Sequence, residues 1–325
     1  MRRTVLALAL FAALGAVAAA AETPWWRDAV VYEVFVRSFQ DSDGDGKGDL
    51  AGLIDRLDYL NDGDPATSDD LGVTALWLMP IMESPSYHGY DVTDYLKVDA
   101  EYGTGDDFAR LIDEAHRRGM RVILDLVLNH TSTLNPWFFT SLSRSSSTRD
   151  WYVWSDVDPG YAGPWGQQVW HPRGGAFYYG LFWSGMPDLN YRTPDVTARM
   201  LEVARTWLVD RRVDGFRLDA ARHLIEDGVA QEDTVATRDW LAEFRAAVRT
   251  WSPDAYVVGE VWSEPETIAK YVGSGIDQGF EFTLADAILS GIRDGSASRI
   301  RDALSRVLRV YPDGAFATFL SNHDQ

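Results

Sequence analysis

Short runs of branched and aromatic residues alternate with longer amphipathic stretches along most of this chain. Residues 30–36, 75–79, 121–128, 215–218, 256–259, 278–282 and 316–320 have the length and apolarity of buried strands. Between them, residues 50–60, 108–118, 196–210, 240–251 and 300–310 repeat apolar positions at helical period. Strands that alternate with helices pair in parallel, because each helix carries the chain back across the sheet. The rhythm breaks after Leu128. Residues 131–189 are rich in Ser, Gly, Pro, Trp and Tyr without a long periodic segment, and they predict a small domain inserted after the third strand. Within it, residues 141–148 are of low complexity and predict a surface loop.

The chain has 325 residues, enough for one (β/α)8 barrel plus an insertion. The expected fold class is therefore α/β, a TIM barrel built from residues 22–130 and 190–325 and interrupted by 131–189. Seven strand candidates are present, so the eighth strand is expected to be missing from this chain.

Arg2 and Arg3 precede an uncharged apolar run from Val5 to Ala18, followed by Ala19, Ala20 and Ala21. That pattern predicts a signal peptide over residues 1–21, hence a secreted or periplasmic protein with no membrane span after cleavage. Cysteine is absent, which rules out disulfides and thiolate metal ligands. The net charge of −19 becomes more negative still once Arg2 and Arg3 leave with the leader. Such a charge repels nucleic acid and anionic membranes, so a neutral substrate fits better. The 13 tryptophans and 14 tyrosines could supply stacking platforms for sugars, although large aromatics more often fill cores.

Three strand candidates end in acids: GFRLD in Asp219, YVVGE in Glu260 and FATFLSNHD in Asp324. Any one of them could be an ordinary loop-facing acid. Together, each beside His, Arg or Trp, they would converge on the catalytic mouth of a barrel. Glycosidic cleavage needs one carboxylate at the anomeric carbon and one protonated carboxyl at the leaving oxygen. Arg217 lies two residues before Asp219, on the same strand face, where it can hold that carboxylate ionised. Separately, DSDGDGKGD spaces Asp41, Asp43, Asp45 and Asp49 with glycines between, which lets short carboxylates converge on a hard cation such as Ca²⁺, with Lys47 adding its backbone carbonyl. Gly52 stands at the twelfth position, so the loop is no EF-hand. The alternative is a solvated acidic turn.

The blocks DLVLNH (125–130), GFRLDAARH (215–223), GEVW (259–262) and FLSNHD (319–324) resemble the four signature regions of the α-amylase family of glycoside hydrolases. MPDLN (186–190) resembles its fifth, and YHGYDVTDY (87–95) also matches. The resemblance implies endo-hydrolysis of α-1,4-glucosidic bonds by double displacement, on an α-glucan substrate and by a monomer. It makes Asp219 the nucleophile, Glu260 the acid and base, and Asp324 the stabiliser of the distorted sugar. His130 and His323 resemble histidines that bond sugar hydroxyls in the −1 subsite, and Tyr90 resembles its stacking platform. Arg222 and His223 resemble a Lys-His pair lining the +2 subsite, with arginine in place of lysine as a departure. The acidic loop matches the family's calcium loop, and a second calcium is implied at Asn129, Asp188 and the backbone carbonyl of His223. A C-terminal β domain is expected to be missing from this chain. An oligo-α-glucosidase or transglycosylase of the same family is the alternative activity. A non-catalytic member would usually lack the three carboxylates.

Overall fold

The computed structural model describes residues 23–312 and 314–324, so the expected signal peptide lies outside the described residues. Among those residues no helix is long and apolar enough to cross a membrane. Numbering only the strands of the large sheet, these are β1 Val31–Val34, β2 Ala75–Leu78, β3 Arg121–Val127, β4 Gly215–Asp219, β5 Tyr256–Gly259, β6 Gln278–Phe280 and β7 Phe316–Ala317. They pair in sequence order and all in parallel, the wall of the expected (β/α)8 class.

Side-chain alternation sorts each strand between the barrel interior and the helices outside. On β4, Phe216 and Leu218 join the outer core with the helices, and Phe216 meets Phe244 of the helix Val235–Trp251 at 6.3 Å between ring centres. Their neighbours on the same strand, Arg217 and Asp219, are buried and belong to neither apolar core. Trp77, Ile123, Tyr256, Val258 and Phe280 form a separate inner cluster. Trp25 and Trp26 pack against it, and Trp26 stacks on Tyr256 at 5.3 Å.

Several elements differ from the expected ones. β6 ends at Phe280, because the Glu281 side chain accepts the Thr283 and Leu284 N–H groups and starts the helix Phe282–Arg293. The helix expected over 50–60 is two pieces, Leu50–Asp55 and Leu57–Leu60, parted at Arg56. The helix Pro194–Arg205 passes into a π-helical turn, Thr206–Asp210. Strands Met82–Glu83 and Asp94–Val98 pair antiparallel and carry a loop with Tyr90.

Between β3 and the helix Pro194–Arg205 the chain forms a three-stranded antiparallel sheet from Trp154–Ser155, Trp170–Arg173 and Ala176–Tyr179. Phe138 packs against Tyr152, Trp154 and Tyr178 beneath it. A β-bridge from His130 to Asp188 and a Leu189 N–H bond to the Asn129 carbonyl, 2.8 Å, tie this segment to the end of β3.

Phe216→Ala should leave a cavity between β4 and its helix and cost about 3–5 kcal/mol. Denaturant unfolding of the whole protein should show a lower midpoint with an unchanged slope. A loss below about 1 kcal/mol would place Phe216 outside the core that carries β4.

Candidate active site

The site grows from the carboxyl ends of β3, β4 and β5. Residues 215, 217 and 219 of β4 share one face, so the strand pleat alone brings Arg217 beside Asp219. Arg217 is buried, and its Nη1 donates to Asp219 Oδ1 at 2.7 Å and to both oxygens of Asp125 on β3 at 2.8 and 3.0 Å. Its Nη2 lies 2.9 Å from Glu260 Oε2. One guanidinium thus holds three carboxylates from three successive strand ends, and the rings of Trp77 and Tyr90 cover it at 5.3 and 5.7 Å.

Glu260 is fixed a second way. Ala220, the residue after Asp219, has φ +49°, a left-handed conformation uncommon for a residue with a Cβ. In that conformation its N–H donates to Glu260 Oε2 at 2.9 Å. The Glu260 backbone bonds Leu218 and Ala221, at 3.0 and 3.1 Å. The two carboxylates therefore share a cation and a rigid backbone junction.

Burial pushes the Asp219 carboxyl up to about 8, against the pull of the Arg217 guanidinium, and the Glu260 charge adds to the rise. Burial also raises Asp125. Three carboxyls around one guanidinium leave excess negative charge, so the cluster as a unit retains a proton near neutral pH. A nucleophile paired with a general acid needs one such proton.

Tyr90 reaches the same cluster. Gly89, at φ +82°, turns the loop where a Cβ would meet the Pro80 carbonyl oxygen at 2.8 Å, and Tyr90 then donates its hydroxyl to Asp125 Oδ2 at 3.0 Å. Its ring stacks on His323 at 5.4 Å. His130 is buried, with Nε2 3.2 Å from the Tyr90 carbonyl and Nδ1 3.3 Å from the Asn129 amide. Burial lowers it to about 3, so the ring is neutral.

Asp324 is exposed, with Oδ2 3.4 Å from His323 Nε2. It joins the cluster through a shared wall: Asp324, Glu260, His223, Trp165, Phe182 and Trp262 line one cavity of about 350 Å³. On its other side Asp324 lines a cavity of about 700 Å³ with His323, Tyr90, His88 and Tyr87. Two hollows therefore meet at Asp324. Arg222 also lines the smaller one, but its guanidinium is taken up by Asp233, Glu232 and the Trp262 carbonyl. His223 Nδ1 donates to the Gln231 carbonyl at 3.0 Å, and burial lowers the ring to about 4.

Of the acidic loop, Asp41, Asp43 and Asp49 bring oxygens within 4.8 Å of one another. Asp45 stands outside that group and accepts the Lys47 N–H at 2.8 Å. At the second location Asn129 Nδ2 donates to Asp188 Oδ2 at 2.9 Å, while the buried Asn129 Oδ1 has no hydrogen-bond partner. Burial and the nearby Glu226 charge hold the Asp188 carboxyl well above its usual range, and burial lifts Glu226 to about 7. An orphaned carbonyl oxygen among acids that strain to keep protons is an oxygen-rich setting that suits a hard cation.

Sequence reasoning did not single out Asp125, Trp165, Trp262, Glu226 or Glu33. Asp125 stands inside a signature block, and Trp262 two residues after Glu260, but nothing in their spacing announces the guanidinium or the cavity they face.

The chain matches the alpha-amylase catalytic domain over residues 33–325. It is 44% identical over 307 residues to an alpha-amylase of Dictyoglomus thermophilum, covering 93% of this chain and 58% of that protein. A trehalose synthase/amylase of Mycobacterium tuberculosis is 38% identical over 327 residues, covering 95% of this chain and 53% of that protein. The crystal structure of an alpha-amylase from H. orenii superposes with a TM-score of 0.84 at 46% identity, covering 91% of this chain and 62% of that one. The chain thus spans little more than half the length of these relatives. By sequence, by fold and by the carboxylates gathered at its strand ends, the chain belongs to the α-amylase catalytic-domain family of glycoside hydrolases.

Proposed function

We propose that the whole protein hydrolyses α-1,4-glucosidic bonds within starch-like glucans, with retention of configuration. The observation that carries this reading is the bridging of Asp219 and Glu260 by one guanidinium, at 2.7 and 2.9 Å, beside two open hollows that share Asp324, one of them lined by Glu260. A single bridging group fits the short carboxyl separation of about 5 Å that retaining enzymes need, whereas inverting enzymes leave room for a water.

In this reading Asp219 attacks the anomeric carbon while Glu260 gives its proton to the leaving oxygen. Glu260 then takes a proton from the water that releases the sugar. Asp324 faces the ring as positive charge develops on it. Tyr90 stacks under the sugar, and His130 and His323 bond its hydroxyls. Trp165 and Trp262, 62% and 48% exposed, offer faces for further glucose units on the leaving side. A cleft that continues beyond the reacting ring favours cleavage within a polymer.

Soluble starch should yield short oligosaccharides from early time points, read by chromatography of the products. Asp219→Asn should reduce kcat on the order of 10⁴-fold or more. Glucose alone, or trehalose formed from maltose, would replace the endo-acting reading with an exo-acting or isomerising one. A merely few-fold loss in Asp219→Asn would overturn the nucleophile assignment.

We also propose calcium at both places described above. Asp41, Asp43 and Asp49 would hold one ion, with Asp45 and the Lys47 carbonyl as candidates to complete the set. Asn129, Asp188 and the His223 carbonyl would hold the other, at the junction of inserted segment and barrel. An ion present at about 100 times its Kd stabilises the folded state by about 2.7 kcal/mol. Excess chelator should therefore lower Tm by several degrees and activity with it, both restored by added calcium. An unchanged Tm would rule out both ions.

A further inference from the structure

Glu33 lies on β1, the strand neighbouring β2 at the edge of the sheet, and is partly buried. Its Oε1 is 2.6 Å from His323 Nδ1. On the opposite side of the ring, His323 Nε2 is 2.8 Å from the Tyr90 hydroxyl oxygen. A glutamate carboxylate only accepts, so His323 Nδ1 carries a hydrogen. Tyr90 has one proton to give, either to Asp125, 3.0 Å away, or to His323 Nε2. When Asp125 takes it, the Tyr90 oxygen accepts from His323 and Nε2 carries a hydrogen as well.

We propose that Glu33 is a positioning residue that keeps His323 doubly protonated, placing a fixed imidazolium between Tyr90 and Asp324 in the floor of the pocket. The acids outnumber the cations among the charged groups that face this ring. Glu33 approaches from β1, Asp125 from β3 and Asp324 from the ring's own segment, whereas Arg217 on β4 opposes them and Trp77 on β2 meets the ring edge at 5.8 Å. Burial by itself would lower His323, and the Glu33 hydrogen bond together with the Asp324 and Asp125 charges outweighs it, leaving the ring above its ordinary value. His130, buried with its ring nitrogens at the Tyr90 carbonyl and the Asn129 amide, has no carboxylate partner and is neutral. The two histidines thus differ in charge: His130 is a neutral ring, and His323 a cation whose hydrogen bonds to Glu33 and Tyr90 are shorter and stronger than neutral ones. As pH rises through its raised value, His323 loses a proton. One nitrogen then turns a lone pair either towards Glu33 or towards the pocket.

The kinetic consequence rests on the function proposed above, whereas the protonation state does not. In whole protein carrying nitrogen-labelled histidine, His323→Gln identifies the His323 signals among the six histidines. His323 should titrate above the usual value of about 6.5. Glu33→Gln keeps the shape but removes the charge, and should lower that titration by about 1 pH unit. The alkaline limb of kcat/KM on a maltooligosaccharide should move in the same direction, so the ratio of variant to parent falls as pH climbs. A uniform loss at every pH, or identical His323 titrations in the two proteins, overturns the proposal. If Glu33→Gln does not fold, as its thermal melt will tell, the parent alone decides, because a His323 titrating below the usual value also overturns it. An absence of glucan hydrolysis defeats the functional reading, whereas the His323 titration still decides the role of Glu33.

Discussion

Removing the Arg217 guanidinium from water costs several kcal/mol, and only the carboxylates packed around it offset that cost. Asp125 and Asp219 meet one of its terminal nitrogens and Glu260 meets the other, each at 2.7 to 3.0 Å. The dependence runs both ways, since without the cation three acids would repel one another at close quarters in a poorly screened place. The four side chains are consequently held by mutual need rather than by individually favourable positions. Breaking the set at any member leaves an unpaired charge, which is why the surrounding strands must keep their register.

That register comes from ordinary packing. Phe216 and Leu218 anchor β4 against helices, so Arg217 and Asp219 can only face inward. Parallel pairing sets Arg217 beside Asp125 on β3 and beside Val258 on β5, two residues before Glu260. Ala220 then departs from ordinary backbone geometry at the one place where an N–H is wanted by Glu260. The geometry of the cluster is thus an extension of the sheet, while the aromatic faces around it come from loops and from the inserted segment.

Local pattern reveals what local chemistry determines. Strand positions, the acids that end β4 and follow β5, and the pairing of Arg217 with Asp219 all follow from the two-residue period of a strand. What stays hidden depends on contacts between distant residues. Glu33 and His323 are 290 residues apart, and Trp165 reaches the cavity of Glu260 only because the inserted segment folds over the barrel mouth. The first residue of the helix Phe282–Arg293 reads as strand because the helix starts at a glutamate after an apolar run, not at one of the usual small capping residues. Arg222 reads as a sugar ligand from its neighbours in sequence, yet Asp233 and Glu232 claim its guanidinium.

In the proposed reading the shared cation holds nucleophile and acid too close together to admit a water between them, and the stereochemistry of the first product reports on that separation directly. Proton NMR of a maltooligosaccharide digest, followed from the first seconds, should show the α-anomer of the new reducing end appearing before mutarotation produces β. If the β-anomer appears first, the two acids act across a water, and Asp219 and Glu260 are not the close reacting pair that Arg217 joins.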